Sequence, residues 1–162
     1  MIPDALRAAV EARLGPVRDA APVSGGCINH GVRVELAEGS VFVKYNADAP
    51  PGLFAAEARG LDALRAAADG LVVPRALAWA EAEGGAPAWL ALEWLEPSRR
   101  APDFAERLGR GLAALHRVGR DEGWGWIEAN FIGPLPQGHA PAWSGAEFWR
   151  TRRLEPQLDL AR

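Results

Sequence analysis

The chain has 162 residues, 49% of them hydrophobic and 24% charged, with a formal net charge of −3. That length and apolar content fit one folded domain with a real core and exclude a disordered chain. The slight acidity gives no basic surface for nucleic acid or an anionic membrane, and a lone cysteine, Cys27, excludes an internal disulfide framework and any multi-cysteine metal site.

The opening residues, MIPDALRAAVEARLG, are amphipathic and charged. They lack the apolar region of a secretory signal, and no apolar run reaches the roughly 18 residues of a membrane span. A soluble cytoplasmic protein is expected. Leu6, Val10 and Leu14 recur at helical spacing and predict a helix over 4–14, stopped by Gly15-Pro16. The loop SGGCINHG (24–31) follows. Its glycines fit either an ordinary hairpin turn or a loop kept bare so that a ligand can approach its N–H groups.

VRVEL (32–36) and SVFVKY (40–45) read as two strands joined near Glu38-Gly39. Residues 53–69 read as a helix with Phe54, Ala58, Leu61 and Leu64 on one face. RALAW (75–79) and AWLALEWL (88–95) read as further strands, separated by Gly84-Gly85. LEPSRRAPD (95–103) is the best candidate boundary, and Asp103 with Glu106 opens a helix over 103–118 bearing Phe104, Leu108, Leu112 and Leu115. Hairpin strands around one helix predict an α+β fold, an antiparallel sheet with a packed helix. Residues 123–149 hold four of the seven tryptophans among glycines and prolines and show no clean period.

Lys44 is the sole lysine of the chain, inside an apolar strand. Strand alternation puts it on one face with Phe42, while Val41, Val43 and Tyr45 take the other. Glu57 falls within the apolar stripe of the next helix, where a charge needs a partner, and Lys44 is the natural one. A snorkelling lysine and a glutamate at the edge of a narrower stripe are the plainer alternatives. AWLALEWLEP runs out of its strand into a linker, which frees backbone groups for a planar ligand edge or simply ends a buried strand. Glycine loop, strand lysine, helix glutamate and strand exit stand in the order of an ATP cradle.

The stretches GGCINHG, VFVKYN, FAAEARGLDAL, LALEWLEP, LGRGLAALHR, NFIGPLPQ and FWRTRRLEPQLDLA together resemble the fructosamine kinase (ketosamine-3-kinase) family. The resemblance implies a protein-kinase-like, aminoglycoside-phosphotransferase-like fold. Residues 1–96 would form the nucleotide-binding amino-terminal lobe, and 97–162 a linker and the start of an incomplete helical lobe. It implies ATP-dependent phosphorylation of the 3-hydroxyl of ketosamines, a deglycation repair. Gly25, Gly26, Cys27, Ile28 and Asn29 would form the nucleotide loop. Lys44 would contact phosphates and Glu57 would hold it, the two catalytic candidates. Leu92 would line the back of the adenine pocket, and Glu93 and Leu95 would offer it backbone groups. Cys27 stands where relatives place a cysteine linked to redox-sensitive dimerisation, or is a small apolar loop residue.

The family continues into a lobe carrying a His-Gly-Asp catalytic loop and a magnesium-binding aspartate. This chain reaches Arg162 before either. Asp121 has no asparagine at catalytic-loop spacing, His116 reads as a structural helix-end histidine, and His139 as a solvated loop residue. ATP and magnesium are the implied cofactors, with the metal ligands beyond this chain, and the chain alone is expected to bind without catalysing. Exposed tryptophans or Cys27 would support a homodimer. Two other readings stand: a kinase for an aminoglycoside, choline or homoserine, and a non-catalytic nucleotide-binding or docking module.

Overall fold

The computed structural model describes residues 2–26, 28–118, 123–126 and 128–162; Cys27 and Asp121 lie outside the described residues. Along β2 (His30–Leu36) and β3 (Gly39–Asn46), valines alternate with other side chains. A period of two sends alternate residues to opposite faces. The antiparallel register pairs Val32 with Val43 and Val34 with Val41, so one face of this hairpin is solid valine.

Three more strands complete an antiparallel sheet of order β1-β2-β3-β5-β4, with β1 at Asp19–Val23, β4 at Ala76–Ala80 and β5 at Ala88–Glu93. The sequence gives little sign of β1, whose DAAPV lacks alternation and carries Pro22. Proline cannot donate to a ladder and is tolerated at a sheet edge, which is where β1 lies. β5 is flanked on both sides and covered on both faces. Its residues 88–92 are all buried, so it reads as a continuous apolar run without alternation.

The expected packed helix is α2 (Leu53–Ala67). It sets Phe54 and Ala58 against Ala88, Leu90 and Leu92. The structure adds a second cover. The amino-terminal helix α1 (Asp4–Leu14) lays Leu6 and Val10 on the opposite face, over Val32, Val34, Val41, Val43 and Trp89. Among the described residues these cores bury no charged or polar residue, so the α1 face gains its stability from apolar burial at about 25 cal/mol per Å2.

Helix α3 (Phe104–Leu115) follows the linker. Its Gly111 is packed so closely that an added Cβ would lie 2.5 Å from Cδ2 of Leu71. The expected apolar stripe is there, yet Phe104, Leu108 and Leu112 are 40–42% exposed. A small hairpin, β6 (Asn130–Ile132) and β7 (Leu135–Gln137), turns at Gly133-Pro134. Gly133 has φ +60°, the positive value a two-residue turn with glycine first requires. Helices α4 (Gly145–Trp149) and α5 (Glu155–Leu160) are joined through a π-helical segment, Arg150–Leu154. Pro156 has no N–H to give the Arg152 carbonyl, and the Arg153 guanidinium donates to it instead at 2.8 Å. Trp124, Trp126, Trp143 and Trp149 are all exposed, Trp143 almost completely at 97%.

Candidate functional site

The valine face of β3 is drawn to α1, which leaves Phe42 and Lys44 on the α2 side. Glu57 lies one turn into α2. Lys44 Nζ donates to Oε1 of Glu57 at 2.7 Å and to Oε2 at 2.8 Å. The side chains are 23% and 31% exposed, so the pair sits at the rim of the core, open to solvent on one side. An ammonium carries three N–H donors. Glu57 engages two, and one remains for another acceptor.

The loop between β1 and β2 arches over this pair. Gly25 and Gly26 have φ +128° and +86°, a region that side-chain-bearing residues rarely enter. Beneath the loop is an open cavity of about 190 Å3 lined by Gly25, Gly26, Ile28, Asn29, Gly31, Phe42 and Lys44. Gly31 and Phe42 were not among the sequence-derived candidates. They belong together: a Cβ on Gly31 would lie 3.0 Å from both Cε2 and Cζ of Phe42. The aromatic ring occupies the space that the glycine leaves open. Only the β2–β3 register shows this, because it places residues 31 and 42 diagonally on one face.

Leu92 is buried on the same face, opposite Phe42 across the β3–β5 ladder. Glu93 ends the strand. Its N–H donates to the Arg75 carbonyl at 2.9 Å, and its carboxylate accepts from the Arg75 N–H at 3.2 Å. The expectation that Glu93 offers backbone groups therefore narrows to its carbonyl. Leu95 lies past the ladder and is 42% exposed. The exit is tied to β2 by Arg33, whose guanidinium lies 4.9 Å over the Trp94 ring and 3.7 Å from Glu96, while Trp94 donates to the Glu96 carboxylate at 2.8 Å. The structure thus brings Gly25, Gly26, Ile28, Asn29 and Lys44 around one cavity with Glu57 behind. Leu92, Glu93 and Leu95 follow along the adjoining strand and do not line that cavity.

A second open cavity, about 360 Å3, separates α2 from the β6–β7 hairpin. Glu57, Leu61, Leu64, Ile28, Asn130 and Phe131 are among its lining residues. Outside its lining, an ion pair between Arg59 and Glu128 also joins α2 to the segment before the hairpin. The signal for this hairpin lay in NFIGPLPQ, with its Gly-Pro turn, but segments of three residues are too short for a period to show. His116 is the exposed C-terminal residue capping α3. His139 departs from the solvated loop position expected for it. It is half-buried, with Nδ1 2.9 Å from the Gln137 carbonyl and its ring beside Phe148 of α4. Among the described residues, no group of three His, Cys, Asp or Glu side chains is placed to hold a metal ion. No helix among them is long and apolar enough to cross a membrane.

A glycine loop joining the first two strands of a five-stranded antiparallel sheet, a lysine on the third and a glutamate on the following helix define the smaller lobe of a protein-kinase-like fold. The chain belongs to the fructosamine kinase family, whose model matches residues 4–162. It is 40% identical over 146 residues to a candidate ketoamine kinase of Synechocystis, covering 90% of this chain and 48% of the relative. It is 35% identical over 141 residues to the chloroplastic protein-ribulosamine 3-kinase of Arabidopsis thaliana, covering 86% of this chain and 42% of that one. The crystal structure of a candidate fructosamine-3-kinase from Thermobifida fusca superposes with a TM-score of 0.81 at 36% identity, covering 99% of this chain and 55% of that one. The chain spans about half the length of the curated relatives it matches.

Proposed function

We propose that this chain forms the nucleotide-binding part of an ATP-dependent kinase that phosphorylates the 3-hydroxyl of ketosamines such as fructosamines and ribulosamines. The observation that carries the reading is the two-point hold of Glu57 on Lys44 beneath the glycine loop. The amides of residues 25–29 cover the phosphates, and the remaining Lys44 donor contacts them. Glu57 prevents the lysine from swinging into solvent. The cavity under the loop, at about 190 Å3, is below the roughly 300 Å3 of ordinary small-molecule pockets. It takes phosphate groups, and the base lies along the β5 exit. There Leu92 closes the back, and the Glu93 carbonyl and the Leu95 backbone meet the adenine edge.

Magnesium, when bound with the nucleotide, neutralises charge as phosphoryl transfer proceeds. The described residues offer no ligand set for it; its ligands, like the base that takes the hydroxyl proton, belong to other parts of the kinase. By itself this chain binds nucleotide without transferring phosphate. The ketosamine class follows from the family and from the likeness to the Arabidopsis protein-ribulosamine 3-kinase. Cytoplasmic residence is part of the same proposal, as is a homodimer through the exposed aromatic surface or Cys27.

Calorimetric titration of the chain and of Lys44→Ala with magnesium-ATP tests the reading. Binding by the first and its loss in the second is the expected result. Equal binding by both removes Lys44 from the site, and no binding by either refutes a nucleotide site in this chain.

A further inference from the structure

Asn46 stands two residues beyond Lys44 on β3, on the same face. The β2–β3 register ends with His30 opposite Tyr45, so the next position opposite Asn46 is Asn29, already within the glycine loop. The side chain of Asn46 crosses this gap. Its Nδ2 donates to the Ile28 carbonyl at 3.3 Å and to Oδ1 of Asn29 at 3.1 Å, while its Oδ1 accepts the Asp48 N–H at 2.8 Å. The chemistry fixes the orientation of the amide. The Asp48 N–H can only donate and the Ile28 carbonyl can only accept, so the oxygen must face Asp48 and the NH2 group must face the loop.

We infer that Asn46 is the positioning residue of the glycine loop, holding its second limb over Lys44 in the shape that receives an anionic ligand. The loop needs such a hold. Gly25 and Gly26 give it more conformational freedom than any other pair of residues could, and Ile28 is 52% exposed and buries little apolar surface to anchor it. Backbone pairing of β2 with β3 stops at His30. Asn46 extends that attachment by one residue through its side chain. The same strand then carries two functions at positions 44 and 46. One residue presents the ammonium, the other fixes the roof above it, and their spacing is set by the rigid strand. Neither alanine nor aspartate can replace the two donations. Aspartate keeps the acceptor for Asp48 and loses both donors.

The ligand part of this inference rests on the nucleotide reading above, and the test separates the two. Hydrogen exchange of peptides spanning 24–30 is measured without ligand in the chain, in Asn46→Ala and in Asn46→Asp. Loop exchange should quicken about tenfold in both variants, while α2 and β5 exchange unchanged, as expected when two hydrogen bonds are removed locally. Aspartate is the discriminating variant, because its retained contact to Asp48 preserves the turn after β3. Unchanged loop exchange in Asn46→Asp overturns the hold. Magnesium-ATP titration of Asn46→Ala should then show affinity weakened by about tenfold with the melting midpoint nearly constant. Quickened loop exchange with unaltered affinity overturns the positioning role. Absence of binding by the unaltered chain refutes the nucleotide reading instead and leaves exchange to decide the hold.

Discussion

Lys44 Nζ meets both carboxylate oxygens of Glu57, at 2.7 Å and 2.8 Å, across the gap between β3 and α2. Each residue comes from an element whose apolar partners set its place: Val43 and Leu90 on the strands, Phe54 and Ala58 on the helix. Packing of the two cores therefore decides where the two charges face each other. Because both side chains remain partly exposed, the pair is worth on the order of 1 kcal/mol or less to folding. Its value lies in orientation. Glu57→Ala should lower the melting midpoint by only a few degrees, yet weaken magnesium-ATP binding about tenfold or more, read by calorimetry. A large loss of stability with unaltered affinity would make the pair structural.

Gly31 is required by the Phe42 ring. Gly31→Ala should destabilise the chain by about 1–3 kcal/mol, the usual cost of overpacking, read from denaturant midpoints. Adding Phe42→Leu should recover part of that loss, because the shorter side chain vacates the space around the new methyl. Strictly additive effects of the two substitutions would show that ring and glycine do not compete for that space.

The ion pair between Arg59 and Glu128 connects α2 to the segment leading into the β6–β7 hairpin, with side chains 50% and 42% exposed. Solvent and salt screen such a pair. Arg59→Ala should leave the global melting midpoint within a degree or two and quicken hydrogen exchange over 128–137. A drop of many degrees would mean that the hairpin supports the main sheet.

Trp124, Trp126, Trp143 and Trp149 each expose aromatic surface, and exposed apolar surface drives association. Sedimentation should show a concentration-dependent dimer, and the double substitution Trp143→Gln with Trp149→Gln should shift it toward monomer. A monomer at all concentrations would oppose the homodimer.

The four strands at β2 to β5, the three longer helices α1, α2 and α3, and the lysine-glutamate candidates were legible in the sequence. Their signals are local: a period of two or of 3.6, a short continuous apolar run at β5, or a charge standing in an apolar stripe. β1 was not legible, because none of its residues is fully buried, so no apolar alternation marks a core face, and Pro22 argues against a strand. Nor was the β6–β7 hairpin, where three residues a side are too few for a pattern.

By itself the sequence determined which segments carry apolar faces and where a glycine-rich loop precedes the single lysine. Only the tertiary structure decided that α1 and α2 cover opposite faces, that Phe42 fills the space above Gly31, and that Asn46 reaches the loop. The last two relations join residues 11 and 17 or more positions apart, and all three arise through strand register and helix docking. No pattern read along the chain specifies register or docking; they follow from the shared burial of both faces of one sheet.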